Sequence, residues 1–248
     1  MEITTKIRLL LTKVRNEFYR QLAAPVFSGL ELSVDIRKVL KTSEIKVIFD
    51  VGANIGQTNI YFRRQFSKAD IYSFEPVSET FKILKKNVGA KPNTHCYQFA
   101  LGSQKSELPI SLNSNSQTNS LVKTNDTHSN KENNTELVLI KTLDNFCEEN
   151  NINLIDILKT DTEGFDLEVI KGGINKLTER KIKMIFSEVT FNISESQHKK
   201  FSELNEYLFK YGFRFYNLYD VSYWDVRQDK GILYCNALWV NEKAITNN

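Results

Sequence analysis

Cysteine is scarce in this chain of 248 residues: Cys96, Cys147 and Cys235 are the only three, and they lie far apart. No two of them have the C-x-x-C spacing, so the sequence supports neither a zinc ribbon nor a disulfide framework. Long hydrophobic runs are also missing, and none approaches the roughly 18 apolar residues of a transmembrane helix. Charges interrupt the N-terminal apolar positions, so we expect no secretory signal peptide. These absences indicate a cytoplasmic protein in a reducing compartment.

An excess of charge of one sign is nearly absent as well. The formal net charge is +3, and residues 1–22 carry all of it, with five basic and two acidic side chains. Bases and acids cancel in the remainder of the chain, so no overall basic field would attract nucleic acid. Hydrophobic residues make up 41% and charged residues 25%, which is ordinary for a folded globular protein.

The N-terminal segment combines these bases with a single apolar stripe at helical spacing. The stripe consists of Ile3, Ile7, Leu10, Leu11, Val14, Phe18 and Leu22. We expect residues 1–44 to form a helical extension, with a second short helix over 33–41. The favoured interpretation is that the stripe packs on the domain or on a second subunit, which would make the protein a homo-oligomer. The alternative is peripheral contact with an anionic membrane through residues 1–22.

From residue 45 onward, short apolar runs alternate with helical patterns. The predicted strands cover 45–50, 71–74, 95–99, 154–160 and 183–189, and helices are predicted over 56–66 and 78–88. Strands that alternate with helices indicate βαβ units, so we expect an α/β domain over 45–243. Its central sheet should be mostly parallel, with helices on both faces. Two aromatic-rich runs, 213–218 and 233–240, are predicted to form an antiparallel hairpin at the sheet edge.

Residues 113–134 interrupt this alternation. Asn, Ser, Thr and Gln occupy fifteen of these 22 positions, so the segment has little apolar surface to bury. Strand-like runs at 107–112 and 136–141 flank it. We therefore predict a hairpin that carries a long, mobile polar loop, part of which could act as a lid over a site.

The strongest local motif is the glycine loop Asp50-Val-Gly-Ala-Asn-Ile-Gly56, which follows a predicted strand and opens a helix. Glycines let the backbone approach a ligand closely, and a helix N-terminus favours a negative group. The spacing differs from the G-x-G-x-x-G fingerprint of dinucleotide-binding proteins. Glu75 ends the next strand, where an acid can accept hydrogen bonds from both hydroxyls of a ribose. Together these features indicate a bound adenosine.

This series of motifs resembles the FkbM family of S-adenosylmethionine-dependent methyltransferases. The motifs that carry the resemblance, in family order, are Asp50–Gly56, Phe74-Glu75-Pro76, Ala100-Leu101-Gly102, Thr142-Leu143-Asp144 and Leu158–Asp166, with Val169 and Gly172. They span residues 45–190. The resemblance implies a Rossmann-like class I methyltransferase fold and S-adenosyl-L-methionine as cofactor.

The resemblance also implies positions for that cofactor. The turn from Gly52 to Gly56, which includes Asn54, would hold its methionine portion, and Asp50 would orient the loop or the amino group. Glu75 would bind the ribose. Residues that follow the second and third strands would line the adenine. These are Phe74, Pro76 and Val77 on one side, and Phe99, Ala100 and Leu101 on the other.

Three carboxylates are the candidate catalytic residues. Asp161 and Glu163 follow the fourth strand and Glu188 ends the fifth, and ligands of such sheets bind outside the carboxyl ends of the strands. Asp161 or Glu163 could accept a proton from a substrate hydroxyl, or the two could hold a divalent cation that acidifies it. The structural alternative is that Thr160 or Asp161 caps the next helix and Glu163 closes a capping box. Glu188 could orient substrate hydroxyls, or pair with a Lys or Arg. His198 is predicted to be a solvated histidine on an amphipathic helix, with a catalytic base as the less favoured alternative.

The expected activity is O-methylation of a sugar, a glycan or another polyhydroxylated molecule. The Asp/Asn-Pro-Pro-aromatic motif of amino-group methyltransferases is missing, because none of the four prolines is adjacent to another. That absence favours an oxygen acceptor. Alternatives that stay open are a polyketide or other natural-product acceptor and a non-catalytic adenosine-binding module. An NAD(P)-dependent oxidoreductase is disfavoured by the glycine spacing.

Overall fold

The computed structural model describes residues 31–41, 44–111, 120–121, 135–192, 198–223 and 231–246. The chain divides into two compact units, Met1–Ser43 and Glu44–Asn248. In the first unit, helix α1 spans Leu32–Leu40, which confirms the predicted second helix. The predicted helix over 3–22, with its membrane and docking interpretations, lies outside the described residues. Among the helices of the described segments, none is long and apolar enough to cross a membrane.

The second unit alternates strands with helices, as the sequence predicts. Its strands are β1 (Val47–Val51), β2 (Asp70–Phe74), β3 (Thr94–Tyr97), β4 (Ala100–Leu101), β5 (Ser106–Ser111), β6 (Ser120–Leu121), β7 (Thr135–Lys141), β8 (Ile155–Thr160), β9 (Ile182–Val189), β10 (Phe213–Tyr223) and β11 (Ile232–Asn241). Its helices are α2 (Gln57–Gln65), α3 (Ser78–Val88), α4 (Leu143–Glu149), α5 (Asp166–Lys171), α6 (Ile174–Thr178), α7 (Phe201–Phe209) and α8 (Glu242–Thr246).

Seven of these strands form one sheet in the order β10-β11-β9-β8-β1-β2-β3. Strands β3, β2, β1, β8 and β9 pair in parallel, whereas β11 is antiparallel to both β9 and β10. The predicted fold class, a mostly parallel sheet with an antiparallel hairpin at one edge, is confirmed. The strand order changes direction at β1, so the loops after β1 and β8 flank the crevice where such sheets bind ligands.

The core lies where helices cover the middle of this sheet. Every residue of β8 is buried, which explains why that strand is a nearly continuous apolar run. Phe146 of α4 contacts the sheet edge-on, with its ring 4.9 Å from that of Phe74 and at 86° to it. Phe49 of β1 packs against both rings, at 5.7 Å and 5.4 Å. These aromatic contacts fix the ends of β1 and β2, from which the glycine loop and Glu75 emerge.

A second sheet, in the order β4-β7-β5-β6, covers one end of the domain. Strands β5 and β7 are antiparallel, so the predicted hairpin is confirmed. Apart from β6, the predicted mobile loop over 113–134 lies outside the described residues. Ile110 and Val138 of this sheet form a small buried cluster with Val77, which follows β2. The hairpin is thereby held beside the end of the central sheet.

Some of the motifs serve the fold rather than a ligand. The carboxylate of Asp144 accepts hydrogen bonds from the backbone N–H groups of Asn175 (2.8 Å) and Lys176 (3.1 Å), at the start of α6. A Cβ atom on Gly172 would lie 2.1 Å from the backbone oxygen of Gly102, so only glycine allows this close approach. The motif residues Gly102 and Gly172 therefore let the segments after β4 and α5 pack closely against each other.

Candidate active site

The glycine loop after β1 adopts the left-handed backbone conformation three times. Its positive φ angles are 73° at Gly52, 47° at Asn54 and 96° at Gly56. A Cβ atom on Gly52 would lie 1.9 Å from the backbone oxygen of Asp161, so the loop can only sit against the end of β8 with glycine there. Asn54 occupies a position that suits glycine, and asparagine is among the side chains that best tolerate this conformation. The backbone of the loop is therefore held in one conformation against the end of β8.

Glu75 follows β2 and supports this loop from the other side. Its Oε2 atom accepts a hydrogen bond from the backbone N–H of Asn54 (3.0 Å), and its Oε1 atom accepts one from Val77 (3.0 Å). The side chain is buried, and burial raises the pKa of Glu75 to about 7, although the two backbone donors act in the opposite direction. Glu75 therefore presents a carboxyl group that two hydrogen bonds hold in place and that loses its proton only near pH 7.

Lys159, near the end of β8, is a buried cation directly under the glycine loop. Its Nζ atom lies 3.1 Å from Oδ1 of Asp50, donates a hydrogen bond to the backbone oxygen of Gly52 (3.0 Å) and lies 3.6 Å from Oδ2 of Asp161. Burial opposes its charge, but the neighbouring carboxylates outweigh burial and raise the pKa of Lys159. Burial also raises the pKa of Asp50, which Lys159 opposes. This ion pair joins the loop to β8.

The turn after β8 directs two of the predicted carboxylates into one cavity. Glu163 and Gly164 both have positive φ angles, 51° and 91°, and the backbone N–H of Thr162 donates a hydrogen bond to Asp166 (3.3 Å). Helix α5 begins only at Asp166, and its N-cap residue, Phe165, makes no side-chain cap, so the alternative of a cap by Thr160 or Asp161 with a capping box closed by Glu163 is not observed. A left-handed conformation at a non-glycine residue is costly and occurs often at functional sites.

Glu188, at the end of β9, pairs with a histidine rather than with a Lys or Arg. Its Oε2 atom lies 3.1 Å from Nε2 of His198, and the two side chains are only 16% and 12% exposed. The His198 ring stacks on Tyr234 of β11, with ring centres 5.0 Å apart and an angle of 21° between the planes. The prediction of a solvated His198 on a helix is wrong, because His198 precedes α7 and its largely covered side chain contacts Glu188 of β9 and Tyr234 of β11. Burial raises the pKa of Glu188, and His198 opposes this shift.

These groups line one cavity of about 510 Å³ at the carboxyl ends of the central strands. The predicted site residues in its wall are Gly52, Asn54, Glu75, Pro76, Ala100, Leu101, Asp161, Glu163 and Glu188. Asp50 and Gly56 do not line it. Asp50 is fully buried under the loop, and Gly56 packs against Leu84 and Val88 of α3.

The cavity wall also includes polar residues that sequence reasoning did not select for the site, among them Lys159 and Tyr234, and His198, for which it preferred a solvated position. Lys159 carries a signal in retrospect, because a lysine inside an otherwise apolar strand is rarely buried without a partner. In the described residues, no group of three or more His, Cys, Asp or Glu side chains could hold a metal ion. The metal-ligand role considered for Asp161 and Glu163 therefore has no third ligand of these types in the described part of the chain.

Comparison with known proteins identifies the family. The FkbM methyltransferase domain matches residues 50–215, which is more than half of the chain. The chain belongs to the FkbM methyltransferase family. The matched region extends from the start of the glycine loop into β10, and it therefore contains Glu75, Asp161, Glu188 and His198.

Individual relatives cover less of the chain. It is 32% identical over 146 residues to a hexuronic acid methyltransferase, AglP, of Haloferax volcanii, a match that covers 57% of this chain and 56% of the relative. It is 28% identical over 142 residues to Methyltransferase 1 of Beauveria bassiana, covering 50% and 57%. The chain thus spans just over half the length of these curated relatives.

Among solved structures, an rRNA methylase from Streptococcus thermophilus shares 9% identity at a TM-score of 0.46, covering 87% of this chain and 98% of that one. Similarity at this level gives no information about activity or substrate.

The cofactor of this FkbM methyltransferase domain is S-adenosyl-L-methionine, and the residues of the cavity fit it. Two buried side-chain atoms of the cavity wall, Oδ1 of Asn54 and Oγ1 of Thr162, have no hydrogen-bond partner among the described residues. Buried polar atoms without partners are rare in proteins, and a bound polar ligand would satisfy these two. With the Glu75 carboxyl group they suit a ligand that carries hydroxyl and amino groups.

Proposed function

We propose that the protein is an O-methyltransferase that transfers a methyl group from S-adenosylmethionine to a hydroxyl of a sugar or a related polyhydroxylated molecule. The observation that carries this proposal is the composition of the cavity described above. One end presents Glu75, which suits a ribose, and the other end presents the Glu188–His198 pair. Hydroxyl groups are the partners that fit both ends, because carboxylates and neutral imidazoles accept hydrogen bonds from them.

The residues at the cofactor end of the cavity bind S-adenosylmethionine, and the cofactor itself supplies the reactive methyl group. When bound, S-adenosylmethionine supplies a methyl group on a positively charged sulfur, which is already a good leaving group. Glu75 would accept the ribose hydroxyls, and the apolar wall formed by Pro76, Val77 and Leu101 would hold the adenine. The chain's task is to orient the acceptor oxygen and to exclude water.

The acceptor end is rich in carboxyl groups. Asp161, Glu163 and Glu188 line it, and the charge of Lys159 is already engaged by Asp50. An acceptor with its own carboxylate would meet repulsion there, whereas an uncharged sugar would meet hydrogen-bond acceptors. Support for a sugar also comes from the relative named as a hexuronic acid methyltransferase. We propose that this chain differs from that relative in preferring acceptors without a carboxylate.

Cofactor binding should depend on pH through Glu75. Its pKa of about 7 in the ligand-free protein means that it must lose its proton before it can accept both ribose hydroxyls. Affinity should therefore fall as the pH drops through 7, and S-adenosylhomocysteine should bind about tenfold more weakly at pH 6 than at pH 8. Isothermal titration calorimetry measures this change. The Glu75→Gln variant, which cannot titrate, should show weaker binding with no such slope.

Asp161 is expected to orient the acceptor, because its carboxylate lies in the cavity wall beside the Lys159 ammonium. The Asp161→Asn variant should lower kcat/KM for the acceptor by about tenfold, mainly through a higher KM. A fall in kcat of about a hundredfold at unchanged KM would instead make Asp161 the proton acceptor. Steady-state kinetics separates the two results. Treatment of the wild type with EDTA should change neither constant.

The proposed activity can be tested directly by S-adenosylhomocysteine release against a panel of neutral sugars, hexuronic acids, nucleotide sugars and glycolipids. Release should depend on the acceptor and should be fastest with a neutral, hydroxyl-rich compound. A protein that binds S-adenosylhomocysteine but gives no acceptor-dependent release with any member of the panel would be a non-catalytic cofactor-binding module. Competition by NADH for the same site would support the oxidoreductase alternative instead.

A further inference from the structure

We propose that Ile110 is a cofactor-binding residue that closes the adenine end of the cavity, and that Glu136 is the residue that positions it. Both belong to the hairpin of β5 and β7, which interrupts the alternation of strands and helices. This inference rests on the placement of the adenine in the proposed function and is independent of the acceptor. It assigns part of the cofactor pocket to a segment that lies between the family motifs.

Ile110 connects the hairpin to the wall of the cavity. It lies in that wall, and it is only 5% exposed. It forms a buried cluster with Val77 and Val138, and Val77 also lines the cavity. Val77 directly follows Pro76, on the side of the cavity where the adenine is placed. The Ile110 side chain therefore extends the apolar wall against which a planar base can pack.

The pairing of the two strands puts Glu136 beside Ile110. These two residues lie directly opposite each other in the antiparallel ladder. Opposite residues of such a ladder point to the same side of the sheet, so the Glu136 side chain lies next to Ile110 on the face toward the domain. The same alternation turns Leu137 and Leu139 outward, and these residues are 65% and 38% exposed. The hairpin thus has one face toward the cofactor pocket and one toward solvent.

The Glu136 carboxylate fastens the hairpin to the start of α3. Its two oxygens accept hydrogen bonds from the backbone N–H of Ser78, at 3.1 Å each, and Oε1 also accepts one from the Ser78 hydroxyl. The first N–H groups of a helix have no partner within the helix, and the N-cap residue, Val77, has an apolar side chain that cannot accept them. A negative group is also favoured at a helix N-terminus. Glu136 therefore supplies from β7 the cap that the N-cap residue of α3 does not provide.

Three contacts along residues 75–78 link this cap to the ribose site. The backbone N–H of Val77 donates a hydrogen bond to Glu75 (3.0 Å), and the N–H of Ser78 donates to Glu136. Between these two bonds, Val77 packs against Ile110. Ile110 is consequently held in a fixed position relative to the carboxyl group that would bind the ribose. Loss of the Glu136 cap should release the hairpin, and Ile110 with it.

The role of Glu136 is tested through its dependence on Ile110. Glu136→Ala should weaken the binding of S-adenosylhomocysteine by about fivefold, whereas Glu136→Gln, which keeps a carbonyl oxygen for the Ser78 N–H, should stay within about twofold. Glu107→Ala, an exposed position of the same hairpin, should have no effect. In protein that already carries Ile110→Ala, the further loss caused by Glu136→Ala should be less than about twofold, because no contact is left to position. Additive losses would overturn the positioning role.

Substitution of Ile110 tests its contact with the adenine. Ile110→Ala should weaken the binding of S-adenosylhomocysteine by about tenfold, because part of the apolar contact is lost. The substitution should also create space beside the base. Among analogues with an ethyl group on N6, C2 or C8 of the adenine, at least one should gain about tenfold or more in affinity relative to S-adenosylhomocysteine. Leu139→Ala, on the outward face of the hairpin, should change neither quantity. Isothermal titration calorimetry measures each affinity.

The change in selectivity separates contact from stability, because an unstable hairpin would weaken all of the ligands alike. Ile110→Val, which removes only one methylene group, should show the same change with the corresponding methyl analogues if Ile110→Ala does not fold. Relative affinities equal to those of the wild type would overturn the proposal. Leu101→Ala, elsewhere in the cavity wall, then shows which step fails. If it accepts the larger analogues, only the assignment of Ile110 is wrong, and if it does not, the placement of the adenine is wrong as well.

Discussion

Replacement of Glu75 by alanine should weaken the binding of S-adenosylhomocysteine by at least about a hundredfold at pH 8. Each charge-assisted hydrogen bond from the carboxylate to a ribose hydroxyl contributes roughly 1.5–3 kcal/mol, and two of them are lost together. The variant also removes the acceptor for the backbone N–H groups of Asn54 and Val77, which should loosen the glycine loop. Isothermal titration calorimetry with the purified protein measures the affinity.

Two controls make this result specific. Glu79, on the exposed surface of α3, lies outside the cavity wall, and Glu79→Ala should bind as tightly as the wild type. Thermal unfolding of Glu75→Ala should still be cooperative, which shows that the variant remains folded. Affinity within about threefold of the wild type in a folded Glu75→Ala protein would contradict the assignment of Glu75 to the ribose.

Replacement of Lys159 by methionine should lower the free energy of unfolding by about 3–5 kcal/mol. Asp50 is fully buried, and the variant would leave its carboxylate without the cation 3.1 Å away. Removal of one partner from a buried ion pair typically costs that much, because the remaining charge is neither solvated nor paired. The melting temperature should fall by about 6–20 °C, measured by calorimetry or circular dichroism.

A double variant and a surface variant accompany this experiment. Asp50→Asn combined with Lys159→Met should recover part of the lost stability, because no unpaired charge is then buried. Lys82 pairs with Glu79 on the exposed face of α3, and Lys82→Met should change stability by less than about 1 kcal/mol. A Lys159→Met protein as stable as the Lys82→Met protein would show that the buried pair contributes nothing to the fold.

The parts of the site that the sequence could predict are local in the chain. The glycine loop directly follows β1, and Glu75 directly follows β2, so a strand pattern and a turn motif suffice to place both. Asp161 and Glu163 follow β8 in the same way. Because parallel strands end at one edge of a sheet, the prediction that these residues meet there follows from the fold class alone.

The remaining parts depend on pairings between distant segments. His198 meets Glu188 only because a short bridge aligns the segment before α7 with the end of β9. Tyr234 reaches the His198 ring because β11 inserts between β9 and β10. A helical pattern around His198 gives no sign of this bridge. The surrounding sequence therefore suggests a solvated side chain where the structure has a partly buried pair.

The most direct test of the account is to locate the transferred methyl group. The protein would be incubated with S-adenosylmethionine carrying a deuterated methyl group and with the fastest neutral acceptor of the panel, and the product analysed by mass spectrometry and NMR. We predict one deuterated methyl ether on a sugar hydroxyl as the product of the wild type. A methyl group on nitrogen, or a methyl ester on a carboxylate, would contradict the central claim.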